Sequence, residues 1–291
     1  MLIQSFWALA AAASFSTMAA FVKFCNATFG PLELVFYRSL FTLVSIYAVV
    51  LWNGYSLKTT KVKGHLIRDS LGFASVAIWF FTLGKLPLGT NITLTYTTSL
   101  FLSANFIILS LIRKLPIPWG AIWSIVLGFT GVVTILQPSF RDGDLIPALL
   151  CLCVACLDLA IYWQVRKLGR EGEPSWRIVF YFALFCTLAT FFGVFIFEDG
   201  FHIPDTQSLL CLMAMGGFAT LGLISATRAW VGGNMLLVSC LGFSAIPFSE
   251  LISIVVFNNI PGLYTIVGMG LILIAGLAAT IVTKRQEQKF K

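Results

Sequence analysis

Long apolar runs, rather than alternating polar and apolar positions, dominate the chain from end to end. At a rise of 1.5 Å per residue, a run of about 20 residues forms a helix that spans about 30 Å of hydrocarbon. Ten such runs cover residues 3–22, 32–52, 66–84, 91–112, 119–136, 145–165, 176–197, 207–227, 234–257 and 262–283. The pattern predicts an all-α polytopic membrane protein with ten transmembrane helices.

The composition supports this class. Of the 291 residues, 58% are hydrophobic and only 11% are charged, whereas soluble domains are about 25% charged. The connections between runs are short, so we expect no soluble domain. The first run lacks a basic n-region and leads through Lys23 into a second run, which favours a retained span over a signal peptide.

The net charge of +7 is explained by where the basic residues lie. With a cytoplasmic N-terminus, the opposite side carries only Lys23, Lys85 and Arg141, and Arg38 falls inside a run. The cytoplasmic segments carry the remaining fifteen: Lys58, Lys61, Lys63, Arg68, Arg113, Lys114, Arg166, Lys167, Arg170, Arg177, Arg228, Lys284, Arg285, Lys289 and Lys291. This asymmetry predicts cytoplasmic termini and needs no nucleic acid as a partner.

The seven cysteines all lie in or at the end of apolar runs. Cys151, Cys153 and Cys156 form no ligand set with a histidine. We therefore interpret them as small packing residues. Disulfides, a metal site and a prosthetic group are not expected.

A weak internal repeat relates the fourth and fifth runs to the ninth and tenth. A single offset of 143 places Asn91 on Asn234 and Ile117-Pro118 on Ile260-Pro261. If each half holds five helices, an odd number, the halves are inverted relative to each other. We therefore predict two repeats, residues 1–139 and 140–291, an arrangement typical of transporters with a site near the midplane.

The order and spacing of several motifs resemble the drug/metabolite transporter superfamily, in particular its EamA branch, over essentially the whole chain. The motifs are Gly30-Pro31, Phe36-Tyr37-Arg38-Ser39, Gly128-Phe129-Thr130-Gly131-Val132, Ile246-Pro247 and Ile260-Pro261. Ala104, Lys114 and Asn259 depart from the family's pattern. The resemblance implies two five-helix repeats and transport of solutes such as amino acids, S-adenosylmethionine, vitamins or drugs.

Two charges inside the runs define the first candidate site. Arg38 lies seven residues from Pro31 and Glu250 seven residues from Phe257, so each is about 10 Å from the outer face. Pro247 precedes Glu250 by three residues and frees the carbonyl of Phe243, which suits a cavity-lining helix. Arg38 and Glu250 either bind a zwitterionic solute or pair across the cavity, or they form a structural ion pair.

Two further acids lie near the ends of runs. Glu33 follows the proline that opens the second run, where a carboxylate favours a helix N-terminus, and Tyr37 shares its helix face. Asp158 lies about 10 Å from the cytoplasmic face, near Tyr162 and Trp163. Asp158 is either a proton-coupling residue or a neutral acid hydrogen-bonded to a neighbouring helix.

Polar and aromatic positions inside the runs extend the candidate site. A stripe in the fourth run lines a cavity or holds helices together; it consists of Asn91, Thr95, Thr98 and Asn105. Trp79 and Tyr96 lie in mid-run, where they form a ligand pocket or fill space. Near the interfaces we expect Arg228 to snorkel and four tryptophans to act as belt anchors: Trp7, Trp119, Trp176 and Trp230.

Enzyme motifs are not readable, and His65 and His202 fall in predicted loops on opposite sides. We predict a secondary transporter of an amino-acid-like or nucleoside-like metabolite in a bacterial inner membrane, as a monomer or homodimer in the lipid bilayer. The substrate-binding candidates are Arg38, Glu250, Tyr37, Trp79, Asn91, Thr95, Tyr96, Asp158, Tyr162 and Trp163. Alternatives are a proton-coupled exporter of lipophilic cations, whose small relatives carry a glutamate in helix one that is lacking here, and a non-transporting membrane enzyme or assembly subunit.

Overall fold

The structure is a computed structural model that describes residues 2–112, 119–142, 145–233, 238 and 241–289. All regular secondary structure in these ranges is α-helical. Six of the described helices are long and apolar enough to cross a membrane, and the stretches Ile122–Ile135, Ala245–Phe257 and Leu263–Ala278 are shorter apolar helices. The protein is therefore a polytopic α-helical membrane protein, as the hydrophobic pattern predicts.

The helices follow the predicted runs closely. In chain order they are α1 (Leu2–Cys25), α2 (Pro31–Trp52), α3 (Val62–Lys85), α4 (Leu88–Thr95), α5 (Thr98–Ile112), α6 (Trp119–Asp142), α7 (Leu145–Arg170), α8 (Ser175–Phe197), α9 (Thr206–Gly232), α10 (Ala245–Phe257) and α11 (Leu263–Lys289). Several helices extend beyond their runs: α3 begins four residues before residue 66, and α9 continues to Gly232 rather than ending at 227.

The fourth run is broken in its middle, which the sequence does not predict. A turn at Tyr96 and Thr97 separates α4 from α5. The Thr97 hydroxyl donates to the carbonyl of Leu94 at 2.7 Å, and the Thr98 hydroxyl donates to that of Thr95 at 2.8 Å. These hydroxyls satisfy carbonyls that the interruption leaves without helical partners, which makes a break tolerable inside a bundle.

The ninth run is broken in the same way before α10. A turn at Phe243 and Ser244 precedes the helix, and the Ser244 hydroxyl donates to the carbonyl of Leu241 at 2.7 Å. The carbonyl of Phe243, which we expected Pro247 to free, accepts from the backbone N–H of Ile246 at 3.1 Å. The first part of this run, residues 234–237, 239 and 240, lies outside the described residues.

Helices from the two ends of the chain pack against each other in pairs. The most extensive pairings are α1 with α9, α2 with α8, α3 with α7 and α6 with α11, and α4 also packs against α10. The α6–α11 crossing depends on two glycines, because a Cβ atom on Gly131 would lie 2.8 Å from the carbonyl oxygen of Gly268, and one on Gly268 would lie 2.7 Å from that of Gly131. Small residues that let backbones approach in this way are typical of membrane helix pairs.

Candidate functional site

A central cavity of about 210 Å³ lies between the paired helices. Its wall is mostly apolar, with contributions from α1, α2, α3, α4, α5, α7, α8 and α9 and from residues 238 and 242 ahead of α10. Its polar and aromatic lining residues include Arg38, Arg68, Ser75, Trp79, Thr95, Tyr96, Thr98, Asp158, Tyr162, Phe182, Thr227 and Trp230. An apolar pocket with a few convergent polar groups is the usual form of a small-molecule site.

Among these lining residues, Arg38 gives the most information about the kind of ligand that the cavity could bind. It is 3% exposed on α2, and its Nε and Nη1 atoms make no hydrogen bond with any residue that the structure describes. Its guanidinium lies 5.7 Å from the ring centre of Phe80 and 5.9 Å from that of Phe182. A cation buried among aromatic rings with no acidic partner is costly, so this side chain points to an anionic ligand.

Arg68 is a second arginine in the cavity wall, and our assignment of it to a cytoplasmic segment was wrong. It is 4% exposed on α3, and its Nη1 lies 3.3 Å from Oδ1 of Asp69. The guanidinium also lies 3.8 Å from the ring centre of Phe182. Unlike Arg38, Arg68 therefore has a carboxylate partner in the protein.

Asp158 faces the same cavity from α7. Its Oδ1 accepts a hydrogen bond of 2.7 Å from the Ser75 hydroxyl on α3. The hydrogen bond to a neighbouring helix that we considered for this acid is thus present, while the carboxylate still lines the cavity. Arg38 and Asp158 thus bring a guanidinium and a carboxylate into the wall of the same cavity.

Aromatic side chains form another part of the wall of the central cavity. Tyr162 stacks on Trp230 with ring centres 4.0 Å apart and an interplanar angle of 18°. Trp230 is 8% exposed, so its predicted role as an interfacial anchor was wrong. Trp79 and Tyr96 line the same space, and the buried Trp79 Nε1 has no hydrogen-bond partner among the described residues.

Glu250 is not brought to Arg38. Its carboxylate lies against Gly89 of α4, at the contact between α4 and α10, and it is not part of the described cavity wall. The ion pairs of the described residues do not include Arg38 with Glu250. Of the alternatives considered for these two residues, a direct ion pair is therefore not formed among the described residues.

Three other candidates lie beside the cavity rather than in its wall. The Asn91 side chain donates to Thr82 at 2.8 Å and to Cys151 at 3.4 Å, so it connects α4 with α3 and α7. Trp163 packs with an apolar cluster around Leu168 and Ala229. The Tyr37 hydroxyl donates to the carbonyl of His202 at 3.3 Å, close to the outer end of α2.

Two placements near the helix ends also differ from expectation. The carboxylate at the N-terminus of α2 belongs to Glu198, which accepts from the backbone N–H groups of Leu32 at 2.8 Å and Glu33 at 3.1 Å. The Glu33 side chain instead accepts from His202 N–H at 2.7 Å. His65, predicted in a loop, lies inside α3 and is 3% exposed.

No family model matches the chain. Curated relatives nevertheless match over almost its whole length. An uncharacterized transporter of Helicobacter pylori is 25% identical over 282 residues, covering 94% of this chain and 93% of the relative. The pseudopaline exporter CntI of Pseudomonas aeruginosa is 26% identical over 280 residues, with 95% of each chain covered.

Two further comparisons agree with these. An S-adenosylmethionine uptake transporter of Rickettsia prowazekii is 22% identical over 256 residues, covering 88% of this chain and 84% of the relative. A crystal structure with 18% identity and a TM-score of 0.68 covers 98% of both chains, and it shows the shared fold alone. The apolar helices and the bacterial relatives together support a multi-pass bacterial membrane protein of the transporter class.

Proposed function

We propose that this chain is a secondary transporter of the drug/metabolite transporter type, which moves a small organic metabolite across the bacterial cytoplasmic membrane by alternating access. The observation that carries the proposal is Arg38, a buried guanidinium that lines the central cavity and forms no ion pair with a carboxylate of the described residues. A permanently unpaired charge in a bundle is retained at a cost in stability, and the binding of an anionic group offsets that cost.

The pairing of helices supports two inverted repeats. If α1, α2, α3, α4–α5 and α6 correspond in order to α7, α8, α9, the broken ninth span and α11, then the pair α1–α9 becomes the pair α7–α3. The pairs α2–α8, α4–α10 and α6–α11 each become themselves. All of these pairs are in contact, those other than α4–α10 are the most extensive among the described helices, and both broken helices occupy the fourth place of their half. Broken helices at the interface of inverted repeats are a transporter feature.

One side of the cavity is closed. On α9 the lining residues all come from the half of the helix that is nearer the basic loops, from Leu223 to Trp230, whereas on α1 and α3 they extend past the middle of the helix to Met18 and Trp79. At the opposite side, the contacts of Glu33 and Glu198 close the bundle. We interpret this as a state closed to the outside, with both termini cytoplasmic as the distribution of lysine and arginine favours.

The cavity suits a zwitterionic, amino-acid-like or nucleoside-like solute. Arg38 is placed to bind a carboxylate, Asp158 to bind an amino or sulfonium group, and the stacked Tyr162 and Trp230 to cover a planar or apolar part. The names of the relatives, an S-adenosylmethionine uptake transporter and a pseudopaline exporter, fit this class. They name one importer and one exporter, so they support transport without giving its direction.

An exporter of lipophilic cations fits less well. The cavity wall contains two arginines, Arg38 and Arg68, against Asp158 as its only carboxylate among the described lining residues. The positive charge of Arg38 on α2 would repel a cationic drug. A zwitterion with a carboxylate near Arg38 experiences attraction there instead.

Flux into proteoliposomes tests the proposal. Purified protein should accelerate the entry of at least one radiolabelled amino acid or of S-adenosylmethionine relative to protein-free liposomes. Arg38→Gln should abolish the accelerated entry, whereas Arg228→Gln, which removes an exposed arginine outside the cavity, should leave it intact. A correctly folded protein that moves none of these solutes would contradict the proposal and favour a non-transporting role.

A further inference from the structure

A second cavity, of about 300 Å³, lies at the end of the bundle that carries the basic loops. It is formed by the segment that leads into α3 and by the C-terminal end of α7. Its wall consists of Thr60, Lys61, Lys63, Gly64, Ile67, Gln164, Lys167, Leu168 and Glu171. None of these residues belongs to the described wall of the central cavity, so the two spaces are distinct.

The charge of this second cavity is not balanced by the protein. Lys61 Nζ lies 3.5 Å from Oε2 of Glu171, which accounts for the one carboxylate of the described wall. Lys63 and Lys167 form no ion pair with a described residue. Two lysines from different helices therefore line one small space without an ion-pair partner among the described residues, and two positive charges at such a site favour a compact anion.

The floor of the cavity is apolar and continues toward lipid. Leu168 is buried and approaches α3 so closely that a Cβ atom on Gly64 would lie 2.8 Å from its Cδ2. Ile67, one turn further into the span, is 44% exposed, and its neighbour Leu66 is 54% exposed. A lysine rim above an apolar surface that faces hydrocarbon matches the two parts of a phospholipid, its headgroup and its acyl chains.

We propose that this cavity binds the phosphate group of an anionic phospholipid in the leaflet beside the basic loops. The headgroup lies between Lys63 and Lys167, and an acyl chain follows Ile67. Basic pockets between transmembrane helices on the cytoplasmic side are suited to such headgroups. Because α3 and α7 also carry Arg68 and Asp158 of the central cavity, the bound lipid holds together two helices that form the candidate solute site.

Thermal unfolding of the full-length protein in detergent tests the binding directly. Phosphatidylglycerol should raise the unfolding midpoint of the wild type by several degrees more than phosphatidylcholine, which carries no net charge. This extra rise should be lost in Lys63→Gln/Lys167→Gln. A matched control, Lys58→Gln/Arg170→Gln, removes the same charge from exposed positions of the same face outside the described wall, and it should keep the rise.

Two results would overturn the proposal. Equal stabilisation by phosphatidylglycerol in Lys63→Gln/Lys167→Gln and in the control would show that the lipid does not bind through these lysines. Equal stabilisation by inorganic phosphate, lost in the same double variant, would make the ligand a soluble anion rather than a lipid. The variants should unfold at the wild-type temperature in phosphatidylcholine, which separates lost binding from misfolding. The readout does not involve solute flux, so it stands apart from the proposed transport.

Discussion

Glu33 and His202 are joined twice at the end of the bundle that lies away from the basic loops. One carboxylate oxygen accepts from the His202 backbone N–H at 2.7 Å, and the other lies 2.9 Å from its ring Nδ1. Tyr37 donates to the His202 carbonyl, and Glu198 binds the first N–H groups of α2. The segment between α8 and α9 is thereby fastened to α2 on the side away from the cavity.

The first prediction concerns this connection. Glu33→Ala removes the acceptor of a backbone N–H and should cost about 1 to 3 kcal/mol of local stability. Hydrogen exchange at residues 198–205 should become faster, while exchange in α7 stays unchanged. The control Asp199→Ala alters an exposed carboxylate in the same segment. Unchanged exchange in Glu33→Ala would show that the contact does not hold this segment.

The two cavity arginines should respond in opposite ways to substitution. Arg38→Met replaces an unpaired buried charge by an apolar side chain, so the ligand-free protein should keep its unfolding midpoint or gain stability while solute binding is lost. Arg68→Met leaves Asp69 buried without its partner and should cost about 3 kcal/mol. Thermal unfolding without solute measures both. Equal destabilisation by the two substitutions would contradict the assignment of Arg38 as a ligand-binding residue.

Glycines on α11 provide a matched test of the α6–α11 crossing. Gly268→Ala places a methyl group against the backbone of Gly131 and should destabilise the protein by about 1 to 3 kcal/mol. Gly270→Ala, on the same helix, meets open space, and it should be neutral or gain up to about 1 kcal/mol from helix propensity. If Gly268→Ala unfolds at the same denaturant concentration as Gly270→Ala, the close crossing is wrong.

The carboxyl group of Glu173, in the loop before α8, should make the free energy of unfolding depend on pH. Burial raises the pKa of this carboxyl, but hydrogen bonds from Thr59 and Arg177 and the charges of Arg177 and His65 outweigh burial and lower the pKa from its ordinary value of 4.5. A lowered folded-state pKa gives stability that is complete above about 4.5 and is lost as the pH falls through the folded value. The free energy of unfolding therefore loses the contribution of Glu173 at acidic pH.

The measurement is the unfolding midpoint between about pH 6 and pH 3. Glu173→Gln should have a lower midpoint than the wild type near neutral pH, and the difference should shrink as the pH falls. Glu171→Gln serves as the control, because its ion pair with Lys61 is partly exposed. Parallel curves for the wild type and Glu173→Gln would show that this carboxylate contributes nothing to the acid response.

The hydrophobic pattern was sufficient to locate the apolar spans, because each span requires about 20 apolar residues, but it did not predict the breaks in the fourth and ninth runs. It was not sufficient for residues close to the ends of runs. Arg68 follows the predicted start of the third span by two residues, but α3 begins at Val62, which places Arg68 about 9 Å into the helix. In the same way, α9 continues to Gly232, so Trp230 lies within the helix and not beyond the end of the span that was predicted to stop at residue 227.

Depth along a helix also does not fix the direction of a side chain. The sequence predicts Arg38 and Glu250 at the same depth, yet in the structure Arg38 lines the cavity and Glu250 lies against Gly89. The predicted residues that do line the cavity are Arg38, Trp79, Thr95, Tyr96, Asp158 and Tyr162. Which faces of two distant helices meet depends on packing between the two ends of the chain, and the hydrophobic pattern of single helices does not contain that information.

The most direct test of the account is solute-dependent stabilisation of the purified wild type and Arg38→Gln. A ligand that binds only the folded protein at 100 times its Kd adds about 2.7 kcal/mol of stability. Across a panel of amino acids, nucleosides, S-adenosylmethionine, vitamins and lipophilic cations, we expect a carboxylate-bearing zwitterion to stabilise the wild type and to have no effect on Arg38→Gln. If lipophilic cations stabilise the wild type and stabilise Arg38→Gln equally, the proposal that the central cavity binds a solute with an anionic group is contradicted.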